Sequence, residues 1–199
     1  MGERSRTQAE RSASTRARFL AAARRGFSER GFDGVPLDWL LQETGLSKGA
    51  FYHHFRDKRE LLAQLYEEME QEVTGRLRLV GRDLPDPLAR IDAGCQAFLD
   101  ECLDPEFRRI ALVEAPAVLG WAAWREIDAR YGFGLLMSGL RAAAREGRIL
   151  DDELLLRGHL LLAALMEAAL VLGASGDPAR VRPEVGRLIS QQVRALAIT

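Results

Sequence analysis

The chain has 199 residues, 47% of them apolar and 29% charged, with a formal net charge of −1. That length holds one compact unit or two small ones, the apolar share suffices for a core, and wholesale disorder is excluded. A near-neutral balance excludes a uniformly basic nucleic-acid binder, but residues 1–60 carry twelve Lys/Arg against eight Asp/Glu while 61–199 carry sixteen against twenty-one, a split that suggests two jobs on one chain.

Almost every stretch reads as helix, and none shows sustained period-two alternation with β-branched residues. Residues 1–13 are polar and read as a flexible arm. From Thr15 the pattern turns helical, with Phe19, Ala23 and Phe27 at i, i+4, i+8, and Gly31 supplies a natural stop. A short helix follows from Pro36 to about Thr44, with Leu37, Leu40 and Leu41 inward. Gly45 makes a turn, Ser47 can cap a helix over 48–55, and Asp57 with Glu60 three residues on forms a capping-box pattern. The helix it opens runs through Leu61, Leu65, Met69 and Val73 to about Val80. Further helices are expected near 87–103, 106–118, 121–146, 152–174 and 178–197, separated by "DLPDP" and two "DP" breaks.

No apolar run reaches the roughly 18 residues of a membrane span, and the Arg-rich N-terminus has no signal-peptide segment. The expected compartment is the cytoplasm, with no membrane partner. Cys95 and Cys102 lie two helical turns apart, roughly 10 Å, too far for a disulfide. They read as buried, reduced thiols.

The three N-terminal helices, with a tight turn between the second and third, match a helix–turn–helix. The third carries "LSKGAFYHHF", residues 46–55. Phe51 and Phe55 share one face and, with Leu46, can dock on Phe19, Phe27 and Leu40. Gly49 and His53 fall on the opposite face with Ala50 beside them, flanked by Lys48 and Tyr52. Adjacent histidines diverge by about 100° on a helix, whereas two ligands to one metal usually need i, i+4. His159 lies far along the chain, so no metal site is expected. No nucleophile stands at catalytic spacing either, and Ser47 is explained as a cap, so no catalytic residue and no cofactor are expected. A plain surface face is the bland alternative. The tight turn, the missing acids and the small residues at the helix start favour a helix entering a DNA major groove.

Residues 15–69, with their F-S-E-R-G-F, T-G-L-S-K-G, Y-H-H-F and D-K-R-E-L-L motifs, resemble the DNA-binding domain of the TetR (tetracycline repressor) family. The resemblance implies an all-α fold. An N-terminal three-helix DNA-binding domain, 14–60 with its helix–turn–helix at about 36–55, would join through a long fourth helix to a larger effector-binding and dimerisation domain, 61–199. It implies that Lys48, Gly49, Ala50 and His53 face base edges and that Ser47, Tyr52 and Lys58 contact phosphates, with His54 packing on helix one or four. The chain departs from the family pattern at Val35 and Pro36, where a hydroxyl residue commonly opens helix two, and at Leu41, where a small alanine is usual. The first change implies a weaker phosphate anchor.

In this family the C-terminal helices bind a small effector and build the dimer. Residues 154–174 are apolar on nearly every face and so must be buried all round; the final helix is amphipathic, with Val181, Val185, Leu188, Ile189, Val193 and Leu196. Two such helices from each protomer can form a four-helix interface, and a plain intramolecular core satisfies the same pattern. Phe98, Cys102, Trp121, Trp124, Tyr131, His159 and Met166 are the candidates for lining an effector pocket, and Glu114 and Glu167 are acids in apolar surroundings. The function implied is a homodimeric one-component repressor, released from a palindromic operator on double-stranded DNA by a small-molecule effector. The alternative is a helical small-molecule-binding protein or small enzyme that has lost operator binding.

Overall fold

The computed structural model describes residues 8–198. Among them the only β pairing is an isolated antiparallel bridge between Ile149 and Ala197; the rest of the regular structure is helical. α1 (Gln8–Arg30) begins inside the stretch expected to be an arm. Residues 8–13 are Gln, Ala, Glu, Arg, Ser and Ala, mostly good helix formers, and extending an existing helix adds one hydrogen bond per residue fixed. Their polarity reflects solvent on almost every side. Residues 1–7 of the expected arm lie outside the described residues.

α1 ends at Gly31, whose φ of +75° and N–H to Phe27 O bond of 3.0 Å make a left-handed cap. α2 (Leu37–Thr44) and α3 (Lys48–His54) are joined by Gly45 in the left-handed region, φ 62°. α4 (Lys58–Leu77) is capped by Asp57, which accepts from the Glu60 N–H at 2.7 Å. The return half of the expected capping box is displaced by one residue: Glu60 Oε2 accepts from the Arg56 N–H at 2.8 Å.

α5 (Pro87–Glu101) and α6 (Pro105–Phe107) follow, each with an aspartate cap and a proline at its start. The single helix expected near 106–118 is instead a π-helical stretch, Arg108–Glu114, running into α7 (Ala115–Leu119). Pro116 supplies the reason. In an α-helix its ring would meet the carbonyl of residue 112, and widening the preceding turn relieves that collision. The helix expected over 121–146 breaks at Tyr131, giving α8 (Trp121–Arg130) and α9 (Gly132–Arg145). Gly132 and Gly134 weaken helical continuity there. α10 (Leu154–Ala174) and α11 (Pro178–Arg194) complete the body.

Two cores hold these helices. The first gathers Phe19, Phe27, Val35, Leu40, Phe51 and Phe55 around α4 and continues into Cys102, Phe107, Ile110, Leu119 and Trp124. The second packs α5, α9, α10 and α11 through residues such as Ile91, Leu140, Leu165, Ile189 and Val193. α4 supplies the first core over its whole length, so the helix that begins beside α3 ends inside the larger body. α10 is long and apolar enough, by length and composition, to cross a membrane. Leu161, Leu162, Leu165 and Leu172 are buried in the second core, whereas Leu155, Leu156, Leu160, Leu170 and Val171 are exposed. All-round burial is therefore not met within one chain, which leaves an apolar stripe facing outward.

Candidate nucleic-acid interface and internal cavity

α3 is held by its aromatic face. Phe51 and Phe55 are fully buried and meet Phe19 edge-on, with ring centroids 5.3 and 6.1 Å apart. Such pairs contribute about 0.5–1.5 kcal/mol beyond the area they bury. At the start of the helix Ser47 accepts from the Ala50 N–H at 3.2 Å. At the end of α2, Thr44 Oγ1 donates to Leu40 O at 2.7 Å, and Arg18 on α1 donates to Thr44 O. The turn is thereby fixed from inside, and the other face of α3 is free. Ser47, Lys48, Gly49, Tyr52 and His53 are exposed and Ala50 is half-buried. Lys48 Nζ lies 6.0 Å from the centre of the Tyr52 ring, so a cation and a phenol stand side by side. α3 contains no acidic residue. His54 is half-buried, and burial first, then His53 and Arg16, hold its imidazole below the usual range.

Lys58 stands apart from this face. Its ammonium donates to Phe32 O at 2.6 Å and to Val35 O at 2.9 Å and lies 4.0 Å from the Phe32 ring centre. Two of its three donors hold the α1–α2 connection, and partial burial lowers its pKa. Val35 is fully buried, and α2 starts at Pro36 without a side-chain cap.

Behind α4 lies a cavity of about 280 Å³, bounded by α4, α5, α8, α9, α10 and Leu112 of the π stretch. Of the expected lining residues, Phe98, Trp124 and Met166 border it. Cys102, Trp121, Tyr131 and His159 do not. Cys102 is the cap at the end of α5 and is buried in the first core, and Cys95, two turns earlier, takes the wall position. Burial pushes the Cys95 thiol up to about 12 and also raises Cys102, so both are poor nucleophiles. Trp121 is 67% exposed. Tyr131 points its hydroxyl away, donating to Glu67 at 3.0 Å. His159 is exposed, stacks on Phe133 at 4.5 Å and lies 3.0 Å from Arg125. Among the described residues no group of three His, Cys, Asp or Glu side chains is placed to hold a metal.

The residues that give the cavity its polarity were not among the expected ones. Tyr66, Glu70 and Thr74 follow at i, i+4, i+8 along α4, one face of the helix, and all three are buried. Glu70, Thr74 and Asp128 border the cavity. The break at Tyr131 turns the first N–H groups of α9 toward the two acids: Gly132 N–H faces Glu70 and Phe133 N–H faces Asp128. Asp128 also accepts from Arg125 at 2.7 Å. Burial, then the Asp128 carboxylate, push Glu70 up to about 8 from its ordinary 4.5. The Tyr66 hydroxyl lies close enough to act on Glu70 electrostatically, but neither it nor Thr74 Oγ1 makes a hydrogen bond of accepted geometry. The i, i+4, i+8 polar row on an otherwise apolar helix face was the available sequence signal.

Polar contacts link the helices beside α3 to those around the cavity. Arg59, in the first turn of α4, donates to Leu119 O at the end of α7 at 2.6 Å. Arg24 of α1 pairs with Glu106 at 2.6 Å and with Glu72 of α4 at 3.0 Å. A Cβ at Gly31 would stand 2.6 Å from Glu114 Oε1, so the π stretch touches the end of α1 closely.

Comparison with known proteins points one way. The profile of "Tetracyclin repressor-like, C-terminal domain" matches residues 88–196, and that of "Bacterial regulatory proteins, tetR family" matches 19–65. An HTH-type transcriptional repressor of Mycobacterium tuberculosis is 31% identical over 192 residues, 92% of this chain and 94% of that protein. The TetC protein of transposon Tn10 from Escherichia coli is 27% identical over 124 residues, and the match spans 62% of its length. The crystal structure of a TetR-family transcriptional regulator from Pectobacterium atrosepticum superposes with a TM-score of 0.81 at 30% identity, covering 98% of this chain and 99% of that one.

Proposed function

This chain belongs to the TetR family of DNA-binding transcriptional regulators, and we propose that it acts as a cytoplasmic, homodimeric repressor released from a palindromic operator by a small molecule in the cavity. The observation that carries this reading is the build of α3, docked on α1 and followed directly by α4. One helix face is locked by Phe51 and Phe55, the other offers Lys48, Gly49, Tyr52 and His53, and the next helix continues from there into the cavity wall.

In this reading Lys48, Gly49, Ala50 and His53 meet base edges, and Ser47 and Tyr52 meet phosphates. Lys58 is first a positioning residue, with one donor left for a phosphate. Residues 14–60 act as the DNA-reading unit and 61–199 as the effector and dimer unit. The outward leucines of α10, with exposed Leu188 on α11, form the dimer face. The two recognition helices then read half-sites roughly 34–36 Å apart. A ligand that fits one setting of α4 better than the other shifts the dimer between its DNA-bound and released forms, by no more than its differential affinity.

Selection of sites from a random DNA library with the purified protein tests this. The expected product is an inverted repeat whose half-sites lie one helical turn apart. A library that returns no enriched site overturns operator binding and leaves a helical ligand-binding protein.

A further inference from the structure

We propose that the cavity takes a small, largely apolar molecule carrying one amine, with its ammonium held between Glu70 and Thr74. This inference rests on the reading of the cavity as the effector site. It deepens that reading by naming the chemistry of the ligand.

The charge arrangement carries the argument. Glu70 and Asp128 both border the cavity and are both buried, Glu70 to 7% exposure. Only one of the two has a cation: Arg125 pairs with Asp128 at 2.7 Å, and no cation among the described residues forms an ion pair with Glu70. An ionised carboxylate without a partner is costly to bury, so the group either keeps its proton or acquires a cation. Burial and Asp128 hold it protonated near neutral pH. The groups around it are accounted for on every side: Tyr66 on its own helix, Asp128 and Arg125 on α8, Gly132 N–H at the start of α9, Cys102 on α5, and His159 on α10 acting on Asp128. None supplies the missing positive charge.

A second, independent observation points to the same place. Thr74 is 2% exposed, borders the cavity, and leaves its hydroxyl oxygen without a partner. It stands one helical turn from Glu70 on the same face. An unsatisfied buried hydroxyl is unfavourable, and a ligand N–H donating to its oxygen removes that cost. Phe98 and Trp124 in the wall offer aromatic surfaces to a cation. The rest of the wall is mostly aliphatic, including Val73, Leu77 and Leu135; Ser138, Arg78, Arg82 and Arg90 also border it, with Arg82 paired to Asp83 and Arg90 to Glu146. At about 280 Å³ the space is near the lower end of ligand pockets, roughly 300–1,000 Å³. That favours a single ring or short chain. An acid would bring a third negative charge beside Glu70 and Asp128. An alcohol can bond to Thr74 but leaves the missing charge unmet. Binding forms no covalent bond: the ammonium enters, and the Glu70 proton leaves to solvent.

The test uses the full chain in isothermal titration calorimetry at pH 7 with three probes of one shape, phenylbutylamine, phenylbutanol and phenylbutyrate. The amine is expected to bind about tenfold or more tighter than the alcohol, on the scale of a charge-assisted hydrogen bond, with the acid weakest. Titrations in buffers of different ionisation enthalpy should show close to one proton released per amine bound. Glu70→Gln should abolish both the amine preference and the proton release. Thr74→Val, which tests the site even if the first variant folds poorly, should weaken the amine several-fold. Equal or tighter binding of the alcohol or acid, amine binding without proton release, or no binding of any probe overturns the proposal. DNA affinity is measured separately: an amine that binds as expected but leaves DNA affinity unchanged overturns the effector reading and leaves the ligand chemistry standing.

Discussion

Arg59 Nη2 and the main-chain oxygen of Leu119 are 2.6 Å apart, which ties the first turn of α4 to the end of α7. α7 continues from the π stretch, whose Leu112 borders the cavity and whose Ala111 oxygen accepts from Trp124 Nε1 at 3.0 Å. The cavity wall is thus linked to the first turn of α4, beside α3, through one short run of chain. Arg59→Ala should cost about 1.5–3 kcal/mol in stability, the range for a hydrogen bond from a charged group. It should also speed amide hydrogen exchange over residues 58–62. Unchanged exchange there would remove the tie from the coupling route.

Lys58 distinguishes a structural cation from a phosphate contact. Its ammonium is committed to Phe32 O and Val35 O. Lys58→Met should therefore lower stability by about 1.5–3 kcal/mol, the range for hydrogen bonds to charged groups, in urea denaturation. The salt dependence of DNA binding should stay within a fraction of one unit of slope. A fall of about one unit would instead mean that the side chain leaves these carbonyls and binds a phosphate.

His53 is exposed on the outer face of α3, with its ring centre 5.0 Å from that of its neighbour His54. His53→Ala should leave stability within about 0.5 kcal/mol. It should relax sequence preference at one position of each half-site by about 1–3 kcal/mol. Site selection with the variant decides the matter. An unaltered preference would take His53 off the base-reading surface.

Glu70 should make the protein less stable as pH rises. Its folded pKa, about 8, lies above its ordinary 4.5, so between those values the folded chain holds a proton that the unfolded chain has released. Stability then falls by at most about 1.4 kcal/mol per pH unit across that window. Glu70→Gln stays neutral throughout and should flatten that part of the profile. Urea unfolding of both proteins from pH 5 to 8 is the measurement; parallel profiles would show that Glu70 ionises freely.

What was legible in the sequence was mostly local. Ser47 and Asp57 cap helices because their side chains reach N–H groups two or three residues on, and Phe51 and Phe55 share a face because they are four apart. The outward face of α3 followed from the same spacing. Local reasoning fails where polarity does not mean lack of structure, at 8–13, and where the glycines following Tyr131 and the collision at Pro116 alter long helices.

The cavity was harder to read because lining depends on which helices meet. Phe98, Trp124 and Met166 are large apolar residues that also face inward, whereas Trp121 shares that chemistry and faces solvent, as does the His159 ring. The commitment of Lys58 to carbonyls 26 and 23 residues earlier is likewise tertiary. The polar row of Tyr66, Glu70 and Thr74 was legible in principle: three polar groups at helical spacing on a buried face need a reason to be there.

The most direct test of the central claim is fluorescence anisotropy with the DNA upstream of the protein's own gene, run across a salt series against scrambled DNA of equal length. The predicted result is binding to the upstream fragment at concentrations where the scrambled fragment stays free, with affinity falling steeply and log-linearly as salt rises. Equal, weak binding to both fragments, with no site recovered from a random library, would contradict the account.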